Sequence, residues 1–138
     1  MSIKKNFKLK DLIIDKSKIP IIYEKGLLKE SLEAMSKYKY GVCFCVKKNN
    51  GKLLGILTDG DVRRKILNIQ KPFSALLNDD LIIHINKKPS KILINSSLSS
   101  AVKLMKKKLI WDLPVVDKNN VLIGMLHLHP IVKFFLNK

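Results

Sequence analysis

Arginine is almost missing from this sequence: of 27 basic residues only Arg63 and Arg64 are arginine, and the rest are lysine. The scarcity matters because the formal net charge is +16, and an excess of that size raises the question of a polyanionic partner. Arginine is the residue suited to bidentate contacts with phosphates and base edges. Lysines scattered through nearly every segment among Asn and Ile read instead as a solvated surface of the kind an AT-rich genome encodes. No helix-turn-helix, zinc-finger spacing or aromatic-interleaved basic strand accompanies the charge, so nucleic acid is not the expected partner.

Other shortages narrow the class further. Cysteine occurs twice, at Cys43 and Cys45, two apart in an apolar run and therefore on one face of a strand instead of in bridging geometry. Two buried thiols is the preferred reading, and no second Cys/His pair stands at zinc spacing. The longest apolar runs, such as Ile131 to Leu136, are broken by Lys133 and fall far short of the roughly 20 residues of a membrane helix. The first residues lack the apolar stretch and cleavage site of a secretory signal, so the expected location is the cytoplasm. There is no Ser/His/Asp set, no metal cluster, no P-loop and no credible pair of acids; catalysis, a metal and a catalytic cofactor are not expected.

What is present is a repeat. Val42-Cys43-Phe44-Cys45-Val46-Lys47-Lys48-Asn49-Asn50-Gly51-Lys52-Leu53-Leu54-Gly55-Ile56-Leu57 aligns with Asp112-Leu113-Pro114-Val115-Val116-Asp117-Lys118-Asn119-Asn120-Val121-Leu122-Ile123-Gly124-Met125-Leu126, with one extra residue in the first turn at Gly51. Such self-similarity decides the fold before any local reading does. In the first copy Ile19 to Tyr23 is a short β-branched run, and Leu27 to Tyr38 sets Leu28, Leu32 and Met35 at helical spacing. Val42 to Val46 and Leu53 to Leu57 form a hairpin about Asn49-Asn50-Gly51. Asp59-Gly60-Asp61 then opens a helix over Val62 to Leu67.

The second copy predicts a strand at Ile92 to Ile94, a helix from Leu98 to about Lys108 opened by Ser96 or Ser97, and strands Leu113 to Val116 and Val121 to Leu126. A closing helix runs from Pro130, where the missing N–H has no partner in any case. The expected fold is α/β: two β-α-β-β-α repeats related by a pseudo-twofold and packed through their small sheets. The boundaries are a tail over 1–9, a first repeat over 10–72 and a second over 73–138, with 73–88 as connection.

This order, with Gly55-Ile56-Leu57-Thr58-Asp59-Gly60-Asp61 ending the hairpin, resembles the cystathionine-β-synthase (CBS) domain pattern of Gly, two apolar residues, Thr or Ser, two residues and Asp. The resemblance runs from about Lys10 to Phe135. Thr58-Asp59-Gly60-Asp61-Val62-Arg63-Arg64, Leu113-Pro114-Val115-Val116-Asp117 and Met125-Leu126-His127-Leu128-His129 are similar to the C-terminal CBS pair of arabinose-5-phosphate isomerases. The first of these also resembles the CBS pair of some sugar-nucleotide nucleotidyltransferases. The resemblance implies a regulatory module that binds a nucleotide between its halves and modulates a sugar-phosphate isomerase-like enzyme. Its ligand would be an adenine nucleotide, AMP or ATP, or a CMP-sugar such as CMP-Kdo, and its assembly a homodimer forming a four-CBS disc. A dimerisation scaffold and a basic nucleic-acid-binding protein are the alternatives.

The resemblance also assigns residues. Asp61 would accept hydrogen bonds from ribose hydroxyls, and Thr58 would contact ribose or phosphate. A carboxylate can take two vicinal hydroxyls, and a hydroxyl at a helix start stands beside backbone N–H groups. The plainer reading is that Asp59 or Asp61 merely caps a helix and Thr58 ends a strand. Tyr40, Gly41 and Val42, with Pro20, would hold the base. Arg64 either reaches a phosphate or is an exposed helix charge. In the second copy His127 and Pro130 stand where Thr58 and Asp61 stand in the first, so that site is expected to be altered. His127 either flanks a phosphate or makes ordinary strand-end hydrogen bonds. Trp111 aligns with Gly41 and either stacks on a base or, as the preferred reading, plugs an empty pocket.

Overall fold

Two hairpins form the backbone of the architecture in a computed structural model that describes residues 8–136. Strands β1 to β7 span Ile14–Asp15, Ile21–Tyr23, Val42–Val46, Leu53–Thr58, Ile92–Leu93, Asp112–Val116 and Leu122–His127. Helices α1 to α5 span Leu28–Tyr38, Asp59–Ile69, Phe73–Leu77, Leu98–Lys108 and Leu128–Leu136. The hairpins β3–β4 and β6–β7 carry the same register shift, between Cys45 and Val46 and between Val115 and Val116. The duplication seen in the sequence is therefore repeated down to a bulge.

Contacts divide the chain into a first unit, Lys18–Pro89, and a second unit made of the described residues up to Ser17 together with the stretch from Ser90 on. The sequence-based boundary at 72/73 lies elsewhere, inside the first unit. The first unit holds a three-stranded sheet ordered β2-β3-β4, with β2 parallel and β4 antiparallel to β3. Its core gathers Leu28, Cys45, Leu57, Leu76 and Leu81. The second unit holds a four-stranded sheet ordered β1-β7-β6-β5 over Leu9, Leu98, Ala101, Met105, Leu113, Val115, Leu126 and Ile131.

Helices α1 and α4 bury the same pattern, Leu28, Ser31, Met35 and Leu98, Ala101, Met105, which is the i, i+3, i+7 stripe of an amphipathic helix. Ser97 opens α4, its hydroxyl accepting from the Ser100 amide at 3.0 Å. Both helices end on a left-handed residue, Lys39 at φ 62° and Leu109 at φ 54°. Helix α2 starts earlier than expected, at Asp59, because Thr58 caps it there. Helix α5 starts at Leu128 and not Pro130, because the Leu128 amide already has an acceptor in the Trp111 carbonyl at 2.8 Å.

Each sheet is closed at its hairpin edge by a segment the periodicity did not reveal. In the second unit β1 pairs antiparallel with β7 at Ile14–Met125, and a Cβ at Gly124 would lie 2.3 Å from the Ile14 carbonyl oxygen. In the first unit Asn86 bridges Ile56 through two backbone hydrogen bonds of 2.8 and 3.1 Å, and a Cβ at Gly55 would lie 2.4 Å from the Asn86 oxygen. Only glycine permits so close a backbone approach. Leu9 and Leu81, which introduce these segments, are both fully buried. Leu9 therefore belongs to a core and not to a tail; residues 1–7 of that expected tail, and the last two of the chain, lie outside the described residues.

The edge segment of the first unit is also pinned by charge. The Asp79 carboxylate accepts from Lys71 Nζ at 2.6 Å and pairs with Nε2 of the buried His84 at 2.8 Å. Hydrogen bonds from Lys71, then His84, hold the Asp79 carboxyl below the usual range. Cys43 and Cys45 are free and buried in β3. Burial pushes Cys43 up to about 12 and Cys45 to about 11, so neither is a ready thiolate.

Candidate functional site

One end of the β2-β3-β4 sheet gathers seven of the eight residues singled out from the sequence. Because β2 and β3 are parallel and β4 runs back, the start of β2, the start of β3 and the end of β4 share an edge. Pro20 lies buried just before β2, its carbonyl accepting from the Phe44 amide at 3.0 Å. Tyr40 and Gly41 lead into Val42, which pairs with Thr58 at the end of β4. Asp61 and Arg64 follow on α2. His127 belongs to the second unit.

Thr58 and Asp61 form a reciprocal capping box. The Thr58 hydroxyl accepts from the Asp61 amide at 3.2 Å, and Asp61 Oδ2 accepts from the Thr58 amide at 3.0 Å, so two amides of the helix start are satisfied at once. Asp61 Oδ1 accepts from the Arg64 guanidinium at 2.8 Å. Burial pushes the Asp61 carboxyl up, but the Arg64 hydrogen bond, the Thr58 amide and hydroxyl and the Arg64 charge outweigh it and hold the group below the usual carboxylate range. The carboxylate is thus anionic at neutral pH. It has about four lone-pair sites, of which the cap and Arg64 occupy one on each oxygen, so the plain capping role leaves acceptor capacity for a ligand.

Asp59, read from the sequence only as a residue opening or capping the helix, also shapes this edge. Its amide donates to the Gly41 carbonyl at 3.0 Å, and its carboxylate lies so close over Gly41 that a Cβ there would come within 2.7 Å of Oδ2. Arg64 in turn folds back over Gly60, 3.2 Å from where a Cβ would stand. With the Thr58, Asp59 and Asp61 amides already bonded, the start of α2 offers the positive end of the helix dipole beside a guanidinium and a carboxylate. That set suits a ligand carrying both hydroxyls and an anionic group.

The same edge of the second unit has other chemistry. His127 ends β7 opposite Asp112, and its Nδ1 pairs with Asp112 Oδ1 at 2.5 Å. Asp112 was also missed, although the repeat alignment pairs it with Val42 and so places it across from His127. Pro130 leaves no carboxylate where Asp61 stands. Trp111 is 68% exposed and lines a groove between α4 and α5. Among the described residues no group of three His, Cys, Asp or Glu side chains could hold a metal ion, and no helix is long and apolar enough to cross a membrane.

Comparison with known proteins agrees with this duplicated architecture. A family model of the CBS domain matches residues 9–68 and 80–136. The protein RP505 of Rickettsia prowazekii is 31% identical over 91% of this chain and 37% of its own length. Arabinose 5-phosphate isomerase KdsD of Francisella tularensis is 27% identical over 94% of this chain and 38% of its own length. The chain thus spans about two fifths of the curated relatives it matches. Among solved structures, CBSX2 in complex with AMP shares the fold at a TM-score of 0.81 and 21% identity, covering 95% of this chain and 97% of that one.

Proposed function

The chain belongs to the CBS-domain family, whose tandem pairs are typically regulatory and nucleotide-binding modules rather than catalysts, and on that footing we propose that it binds a nucleotide at the first unit's sheet edge and so regulates a sugar-phosphate isomerase-like enzyme. The observation that carries this is the Thr58–Asp61–Arg64 constellation at the start of α2. The Asp61 carboxylate takes the vicinal ribose hydroxyls, while Arg64 and the positive end of the α2 dipole receive the phosphate. Tyr40, Gly41, Val42 and Pro20 present backbone groups to the base. The AMP complex of a protein with the same fold favours an adenine nucleotide. The similarity to an arabinose 5-phosphate isomerase supports the isomerase partner and makes a CMP-sugar the rival ligand.

Binding on this reading biases the attached or associated enzyme by differential affinity for its states. Isothermal titration with AMP, ATP, CMP and CMP-Kdo tests it, with Asp61→Ala and Arg64→Gln in parallel. Asp61→Ala should weaken nucleotide binding by at least about tenfold, the scale of one lost charge-assisted contact of about 1.5 kcal/mol or more. Since Asp61 also caps α2, a thermal melt of each variant separates lost contact from lost fold. A folded wild-type chain that binds none of the four ligands, or an Asp61→Ala chain that binds as well as wild type, would overturn the proposal.

A further inference from the structure

One backbone hydrogen bond sets the same pair of residues side by side in each unit. The Asp59 amide donates to the Gly41 carbonyl at 3.0 Å, and the Leu128 amide donates to the Trp111 carbonyl at 2.8 Å. The chemistry of the two pairs differs. In the first unit an aspartate carboxylate stands over a glycine; the second unit has leucine and tryptophan at those positions and no carboxylate at 128.

The fold makes no use of the Asp59 carboxylate. Thr58 and Asp61 already exchange the two bonds of the capping box, and Arg64 pairs with Asp61. Among the described residues the Asp59 carboxylate takes part in no hydrogen bond or ion pair. An acidic residue in a first helical turn favours the helix dipole, which accounts for a negative charge at 59 but not for the glycine beneath it. A Cβ at 41 would stand 2.7 Å from Asp59 Oδ2, so glycine is what lets the carboxylate lie over the backbone that leads into β3. Asp59 is exposed and therefore within reach of a ligand.

We infer that Asp59 is a specificity-determining residue that accepts a hydrogen bond from the exocyclic amine of a nucleotide base. The inference rests on the nucleotide reading of this edge: with the base held along Tyr40, Gly41 and Val42, the carboxylate over Gly41 meets the rim of the base, while Asp61 takes the ribose. A carboxylate is acceptor-only. It takes an amine hydrogen, as acidic side chains do from the cytosine amine in DNA, and it opposes a carbonyl oxygen at the same place. Adenine and cytosine both carry such an amine, so adenine nucleotides and cytidine sugar nucleotides share the feature that is read. Hypoxanthine and uracil present an oxygen there and are disfavoured.

The test pairs each nucleotide with an analogue that lacks only the amine: a purine riboside phosphate for AMP or ATP, and a pyrimidin-2-one riboside phosphate for CMP or CMP-Kdo. Both members are titrated calorimetrically against wild type, Asp59→Ala and Asp61→Ala. Whichever nucleotide binds, wild type should prefer it to its analogue by about tenfold or more, the scale of one hydrogen bond to a charged group. A preference in the purine pair identifies an adenine ligand, and one in the pyrimidine pair a cytidine ligand. Asp59→Ala should abolish the preference by weakening the amine-bearing member alone. Asp61→Ala should weaken both members alike and keep their ratio, because the ribose is common to both. A residue that merely supported α2 would lower both members together, along with the melting temperature. Equal binding of nucleotide and analogue by wild type, or a ratio that Asp59→Ala leaves intact, overturns the inference and leaves the nucleotide reading standing. A folded wild-type chain that binds none of AMP, ATP, CMP and CMP-Kdo overturns both.

Discussion

The two units share a hairpin, a bulge, a helix-burial stripe and a glycine-gated edge, yet they differ at the end of the sheet where Thr58 and Asp61 stand in the first. The first unit keeps glycine at 41, a hydroxyl at 58 and a carboxylate at 61; the second has tryptophan, histidine and proline in their places. The changes are coupled. Gly41 leaves room for the Asp59 carboxylate, whereas Trp111 and Leu128 line one groove. A duplicated scaffold can thus hold its core constant while the sheet ends of its two copies differ in chemistry. Function resides in the site and not in the fold.

The comparison breaks most visibly if the cores are not equivalent. Leu28 and Leu98 occupy matching positions and are almost wholly buried, so Leu28→Ala and Leu98→Ala should each destabilise by about 3 kcal/mol, within the usual span for a buried leucine. Chemical denaturation monitored by circular dichroism checks both. Costs that differ by more than about 2 kcal/mol would show that one unit carries most of the stability.

A second, smaller effect sharpens the contrast at the first unit's edge segment. The Asp79 carboxyl is held low by Lys71 and by His84. A depressed folded value means its stabilisation is present above the unfolded carboxylate range and is lost as pH falls through the folded value. Melting temperature should therefore decline on acidification, and Asp79→Asn should flatten that decline while lowering stability at neutral pH. An unchanged acid limb in Asp79→Asn would show that the ion pairs do not hold the segment.

The smallest expected effect concerns Cys43 and Cys45, which the second unit replaces with Leu113 and Val115. With the thiols pushed up to about 12 and about 11 by burial, neither should react appreciably with iodoacetamide at pH 8 in the native state, and both should react once unfolded. Mass spectrometry after timed alkylation reads this directly. Rapid native labelling of either thiol would mean that β3 opens far more readily than β6.

Much of this was legible because it is local. The hairpins follow from alternating apolar runs about turn residues, and α1 and α4 from a stripe of 3.6-residue period. The pairing of Thr58 with Asp61 was within reach because a capping box spans only three residues. The Asp112–His127 pair was readable in principle from the alignment, since 112 matches 42 and 127 matches 58, one cross-strand pair. By contrast β1 is two residues long and carries no period to detect, and the contact of Asp59 with Gly41 depends on hairpin register instead of spacing along the chain.

By itself the sequence determined that the chain is a duplicated β-α-β-β-α unit with an intact Thr58–Asp61 motif in one copy and an altered one in the other, since apolar period, turn chemistry and capping act over a few residues. Only the tertiary structure decided that Leu9 and Leu81 are core residues, that Gly55 and Gly124 admit an edge segment, and that Trp111 lines a groove between two helices. Those outcomes depend on backbone groups far apart in sequence finding each other's hydrogen bonds, and a burial pattern cannot announce a partner that lies tens of residues away.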